Sequence, residues 1–205
     1  MTQLLRQFSK RTGLTNMLAG AALALAACAT APAYSPTAPT FDPPPSYTLA
    51  AGVIAVVIGP NVEDPKPGVA IRLATTPKAV VADWARSRLV ADLGSTGRAE
   101  LLVEEASATE TALETRGGVT GVFTRDPKLD FKVAFAVTLN LFDGAGRPAG
   151  SARATSSASA TFAEGQDEDQ RRRIWERLLK QAAERMDAEM QAQLQSGLDG
   201  RARLN

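Results

Sequence analysis

The chain has no histidine and only one cysteine in 205 residues. Histidine is the commonest general base and the commonest transition-metal ligand, so its absence removes whole chemistries. A Ser-His-Asp triad, a Cys-His dyad and a His-containing zinc site are all excluded. A lone cysteine cannot close an internal disulfide. Aromatic residues make up 5% of the chain, so the core must rest on Val, Leu, Ile and Ala. No charge of one sign dominates, the formal net charge being +1. That balance gives no reason to expect nucleic acid as a partner. Walker loop, GxGxxG and G-x-S-x-G motifs are missing too. No cofactor and no metal are therefore implied.

The N-terminus carries the strongest pattern. Arg6, Lys10 and Arg11 form a basic zone with no acidic residue among the first 27. Leu14 to Ala27 is apolar or small apart from Thr15 and Asn16. A permanent transmembrane helix needs about 20 apolar residues, and this run is shorter. It fits a secretory signal that ends in small residues. The signal is expected over residues 1 to 27. Beyond it, 20 Lys and Arg stand against 22 Asp and Glu.

Leu25-Ala26-Ala27-Cys28 resembles the bacterial lipobox, a Leu and two small residues followed by Cys. The resemblance implies that a signal peptidase recognises Leu25, Ala26 and Ala27 and cuts before Cys28. It also implies acylation of the Cys28 thiol and of the new amine. Several acyl chains make a stable anchor, since each buried CH₂ contributes about 0.8 kcal/mol and one chain alone is marginal. The competing reading is an ordinary cleaved signal with an incidental Cys. Ala29 follows Cys28, where Asp would signal inner-membrane retention in enteric bacteria. The outer membrane is the expected destination, with the inner membrane as the alternative.

Residues 28 to 46 read as a Pro-rich tether, with Pro32, Pro36, Pro39, Pro43, Pro44 and Pro45 among Ala, Thr and Ser. Such a segment should be extended and semi-rigid, a spacer between lipid and domain.

Residues 47 to 205 are expected to form a single α+β domain. Val53 to Ile58 is continuous and β-branched and reads as a buried strand. Val69, Ile71 and Leu73 alternate with Ala70, Arg72 and Ala74, which predicts a second strand, joined to the first as a hairpin. Thr76-Pro77 opens a helix over 77 to 93, with Thr76 as N-cap and Trp84 on its apolar face. Trp84 reads as a core anchor rather than a ligand-stacking residue. Ala99 to Leu113 is a strand whose broken alternation calls for a bulge near Glu104-Glu105. Adjacent strand residues point to opposite faces, so these two carboxylates cannot share a proton. Gly117, Gly118 and Gly121 mark a loop. Leu129 to Leu141 has strict period two, and Asp143 to Gly146 supplies a hairpin turn. The returning strand, 148 to 164, is nearly all Ala, Ser and Thr. Small side chains there make a bed for a close-packed helix, which is expected over 167 to 195 with Asp167, Glu168 and Asp169 in its first turn. Arg171, Arg172 and Arg173 form a basic patch with i,i+4 pairing as the default and anionic headgroups as the alternative. The last residues are expected to fray. The order is β-β-α-β-β-β-α, a two-layer sandwich with a mainly antiparallel sheet and both helices on one face.

This organisation resembles the auxiliary lipoproteins of ABC-type lipid transport and the lipopolysaccharide-assembly lipoprotein. The resemblance covers the lipobox, the tether and the small sheet with two helices. It implies a non-catalytic accessory or assembly component with an envelope protein partner and an unknown ligand. It points to an exposed sheet face or strand edge, the polar face of strand 129 to 141 first. A lipid-anchored hydrolase using two facing carboxylates is one alternative, and a cell-wall-associated scaffolding lipoprotein is another.

Overall fold

A computed structural model describes residues 34–41, 45–113, 128–163, 165–196, 198 and 200–205. Cys28, the lipobox and the loop around Gly117, Gly118 and Gly121 lie outside the described residues. The elements are β1 (Tyr47–Leu49), β2 (Val53–Ile58), α1 (Pro67–Ala70), α2 (Pro77–Arg88), β3 (Leu89–Ala91), β4 (Arg98–Leu113), β5 (Lys128–Phe142), β6 (Pro148–Ala163), α3 (Glu168–Ser196) and β7 (Ala202–Leu204).

The large sheet has the order β2-β4-β5-β6. β4, β5 and β6 form an antiparallel meander, and β2 joins it parallel to β4. The alternation of β5 sets the layers. Phe131, Val133, Phe135, Val137, Leu139 and Leu141 are buried on one face. There they meet Val81, Trp84 and Ala85 of α2 and Ile174, Trp175, Leu178, Ala182, Met186 and Met190 of α3 in one core. The expected α+β sandwich is thus what the chain forms, with both helices on one face.

The bulge falls where broken alternation placed it. The β4–β5 register shifts between Val103 and Glu105. Buried positions run Ala99, Leu101, Val103 before it and Ala106, Ala108 after it. One extra residue therefore returns the following side chains to the core face. In the turn after β5, Gly146 adopts φ 78°, a conformation that costs glycine little. Asp143 accepts from the backbone N–H groups of Ala145 and Arg147, each at 2.9 Å. Those bonds and the Arg147 side chain hold its carboxyl below the usual carboxylate range.

The small residues of β6 do form the bed of α3. Ala152, Ala154 and Ala158 are buried in the core, and Ser156 Oγ donates to Ala182 O at 2.7 Å. Enlarging Ala154 to Leu leaves no room between the layers. We expect it to lower stability by about 1–3 kcal/mol, as overpacking does, read as a lower urea midpoint with an unchanged slope.

Four expectations are corrected. Val53–Ile58 is a strand, but at the sheet edge and mostly exposed rather than buried. No hairpin follows it: Pro67–Ala70 is one helical turn, and β2 reaches β4 by way of α2. Pro67 at the first helical position, with Val69 and Ala70 N–H bonded to Lys66 O, favours the turn over the alternating strand pattern. Helix α2 keeps its Thr76 cap, through Ala79 N–H to Thr76 Oγ1 at 3.2 Å, but ends at Arg88. Leu89–Ala91 instead pairs parallel with β1, and the C-terminal residues 202–204 pair antiparallel with β1 on its other side. This second sheet, β3-β1-β7, takes up the start of the expected domain, for which no strand was expected, and the C-terminal residues that were expected to fray.

The tether is also not a free spacer over its whole length. Phe41 is buried in the core at 7% exposure. Arg172 donates to Tyr34 O at 3.4 Å, and Arg173 lies 5.4 Å over the Tyr34 ring. The basic patch therefore holds the incoming chain. Arg171 pairs with Glu110, and Arg172 pairs with Asp169 at i,i+3.

Candidate functional site

Both sheet faces and both long edges were open to being the interaction surface. One face is filled by helices. The polar face of β5, the expected place, is largely satisfied by its own neighbours. Thr138 donates to Glu104 at 3.0 Å, Ser151 to Asn140 at 3.1 Å and Thr161 to Asp130 at 3.3 Å. Between them Ala134 and Ala136 offer little side chain to grip. A surface whose polar groups are already paired gains little from a partner.

The edge formed by β2 and the free length of β4 is different. Val53, Val56, Val57 and Ile58 are exposed at 64, 39, 37 and 43%. In the parallel register Ile54, Val56 and Ile58 stand beside Ala99, Leu101 and Val103, on the helix side. Val53, Ala55 and Val57 stand beside Arg98, Glu100 and Leu102, on the open side. The strand is thus apolar on both faces, and neither face is fully covered. Val90 and Leu93 are also exposed. The loop after β3 lies against the start of β2, where a side chain at Gly52 would collide with Ser95 O.

β2 is shorter than its neighbour. Its last backbone link is Gly59 N–H to Val103 O at 2.8 Å. Gly59-Pro60 then turns the chain away, and the loop 61–66 with the start of α1 stands off from Glu104–Thr111. Between them lies a groove of about 520 Å³. Its wall is the unpaired side of a β-strand, where backbone N–H and C=O groups still require partners. The short strand 53–58 and the long strand from 99 to 113 were legible in the sequence, but the groove was not, because it depends on which strand pairs with which.

The carboxylates in the groove are mostly held in place. Glu104 binds Arg153 at 2.5 Å, Glu110 binds Arg72 at 3.2 Å and Arg171 at 3.4 Å, and Asp64 binds Lys78 at 2.7 Å. Arg72 also reaches Glu168 at 2.7 Å, and this bond holds the Glu168 carboxyl below its ordinary value. Glu105 accepts from Ser107 Oγ at 2.9 Å. The Glu104-Glu105 pair expected as bulge residues is confirmed as that, with Glu104 locked by arginine. Among the described residues no group of three or more His, Cys, Asp or Glu is placed to hold a metal. None of the described helices is long and apolar enough to cross a membrane.

No family model and no curated protein matches the chain. Solved structures show faint likenesses. A minor lipoprotein from Acinetobacter baumannii is 12% identical, covering 77% of this chain and 98% of that one, with a TM-score of 0.37. A protein from Xanthomonas campestris is 13% identical, covering 80% and 97%, with a TM-score of 0.30. A dodecameric protein from Paraburkholderia phytofirmans is 12% identical, covering 75% and 94%, with a TM-score of 0.22. Likenesses of this degree do not assign a role.

Proposed function

We propose that the chain is a bacterial envelope lipoprotein, held at a membrane through acylated Cys28, and that it serves as a non-catalytic accessory or assembly component of a transport complex. The observation that carries the accessory role is the groove beside Glu104–Thr111. An extended segment of a partner laid there would continue the sheet in line with β2. Backbone hydrogen bonds would supply affinity, and alternate side chains would supply specificity. The outer membrane is the membrane favoured by Ala29. The acyl chains are the membrane contact, and the partner is an envelope protein.

A photo-crosslinking residue at Ser107, in the groove, tests this in intact cells, with Lys180 on the exposed side of α3 as the control position. We expect position 107 alone to capture a component of an envelope transport or barrel-assembly machine. Capture of cell-wall material would favour the scaffolding alternative. Equal capture at both positions, or none at 107, would overturn the reading.

A further inference from the structure

We infer that β2 pairs antiparallel with β2 of a second copy of this chain, joining two four-stranded sheets into one across a two-fold axis. The inference concerns residues 53 to 58 rather than the groove, and it holds whether or not Cys28 carries lipid.

Four observations lead there. Natural sheet edges are guarded by Lys, Pro, inward-pointing charge or a covering element. Val53–Ile58 has none of these within it. Of nine large hydrophobic side chains exposed among the described residues, four are on β2, and Val90 and Leu93 flank its start. Apolar surface so concentrated marks an interface rather than scatter.

The occupant must cover both faces of the strand. A helix or lipid tail laid on one face would leave the other bare. A further strand continuing the sheet brings its own side chains to both sides. β2 carries no charge and no hydrogen-bonding side chain, so a partner strand finds only backbone bonds and apolar contact there. An identical strand offers both. The sequence Val-Ile-Ala-Val-Val-Ile reads similarly in either direction. With Ala55 on the axis, Val53 stands opposite Val57 of the other copy and Ile54 opposite Val56, outer face with outer face.

Charge fixes the direction. The Ile58 end of β2 is acidic on balance: Glu63 in the following loop and Glu105 beyond the strand end have no cation at salt-bridge distance among the described residues and outnumber Lys66, while Asp64 and Glu104 are paired with Lys78 and Arg153. The Val53 end carries Arg98 and Arg203, half or more exposed and only loosely paired, to Glu100 and Asp92 at 3.4 Å each. Parallel pairing would set acidic end against acidic end. Antiparallel pairing sets each acidic end toward the arginine end of its partner. A two-fold axis makes this arrangement closed, so it stops at the dimer.

The test uses the full chain in cells, with single cysteines placed in turn at residues 53 to 58 and copper–phenanthroline as oxidant. The wild-type chain, whose one cysteine is Cys28, is the control. Directly opposed residues in an antiparallel pair lie about 4.5–5.5 Å apart at Cα, within disulfide reach. We expect a disulfide-linked homodimer above the control level that peaks at Ala55→Cys and fades toward both ends. Adding Val57→Lys to the peak variant should abolish the band, since it places two ammonium groups in the apolar seam without disturbing a core residue. Equal bands at all six positions would show parallel pairing or collision and overturn the inference. So would no band at any position, a band to a different protein only, or a dimer indifferent to Val57→Lys.

Discussion

Asp187→Ala is expected to lower the unfolding temperature more than any single change on the protein's surface. Asp187 accepts from Arg88 Nε at 2.9 Å and Arg88 Nη2 at 2.8 Å, and from Trp84 Nε1 at 2.8 Å. Arg88 is 5% exposed. Its guanidinium also donates to Pro45 O at 3.2 Å and lies 6.0 Å from the Phe41 ring. One carboxylate therefore ties α2, α3 and the incoming N-terminal segment together. Removing it takes from a buried guanidinium the carboxylate that binds two of its nitrogens. Breaking one partner of such a pair costs about 3–5 kcal/mol, or a fall of roughly 6–20 °C for a chain of this size. Asp187→Asn should lose nearly as much, because it keeps the shape and an acceptor for Trp84 but not the charge. Trp84→Phe removes only one hydrogen bond and should cost about 1 kcal/mol, apart from packing. Thermal melts of the three variants separate charge from hydrogen bonding. If Asp187→Asn melts with the wild type, the buried pair does not hold the helices together.

The same pair makes stability depend on pH. Burial pushes Asp187 up, but hydrogen bonds from Arg88, Gln191 and Trp84 outweigh it and hold the carboxyl below its ordinary value of 3.8. A carboxyl depressed in the folded state contributes its full stabilisation above the unfolded value. That contribution fades as pH falls below about 4 toward the folded value. Wild type should therefore destabilise on acidification, and Asp187→Asn should flatten that part of the curve.

Cys28→Ser is the second change with a large expected effect, on location rather than stability. If acyl chains on the Cys28 sulfur hold the protein at the bilayer, oxygen in its place ends the thioether and the anchor with it. A single acyl chain gives only marginal binding, with an association constant of about 10⁴ M⁻¹, whereas two or three give stable attachment. The variant should move from the membrane pellet to the soluble fraction and lose labelling by a fatty-acid analogue. Mass spectrometry of the wild-type chain should find residue 28 as the mature end, carrying acyl mass. Continued membrane attachment of the serine variant, or an unmodified thiol at the mature end, would defeat the lipoprotein reading.

How much of the fold was legible follows from the range of the forces involved. The alternation of 129 to 141, the Thr76-Pro77 helix start, the Asp143 turn and the Glu104-Glu105 bulge each state their structure within a few residues. So does the apolar stripe from Ile174 to Leu194, although α3 buries a wider face, Trp175, Leu179 and Ala183 included. The misreadings share a different cause. A continuous Val-Ile run fits a strand buried on both sides and equally an edge strand awaiting a partner. Leu89–Ala91 continued the helical pattern until β1 offered it a ladder. Tyr47, buried and receiving a bond from Gln195 at 3.1 Å, belongs with a C-terminus more than a hundred residues away. Local periodicity carries no information about such pairings.

By itself, the sequence determined the two-layer class, the exclusion of histidine chemistry and the expected address at Cys28, because these depend on composition, period and a four-residue pattern. Tertiary structure alone decided that β2 lies at an edge, that β4 outruns it to leave a groove, and that Phe41 is drawn into the core. The physical reason is that a strand's hydrogen-bonding sides are identical until its neighbours are chosen, and that choice is made by the whole chain closing over its core.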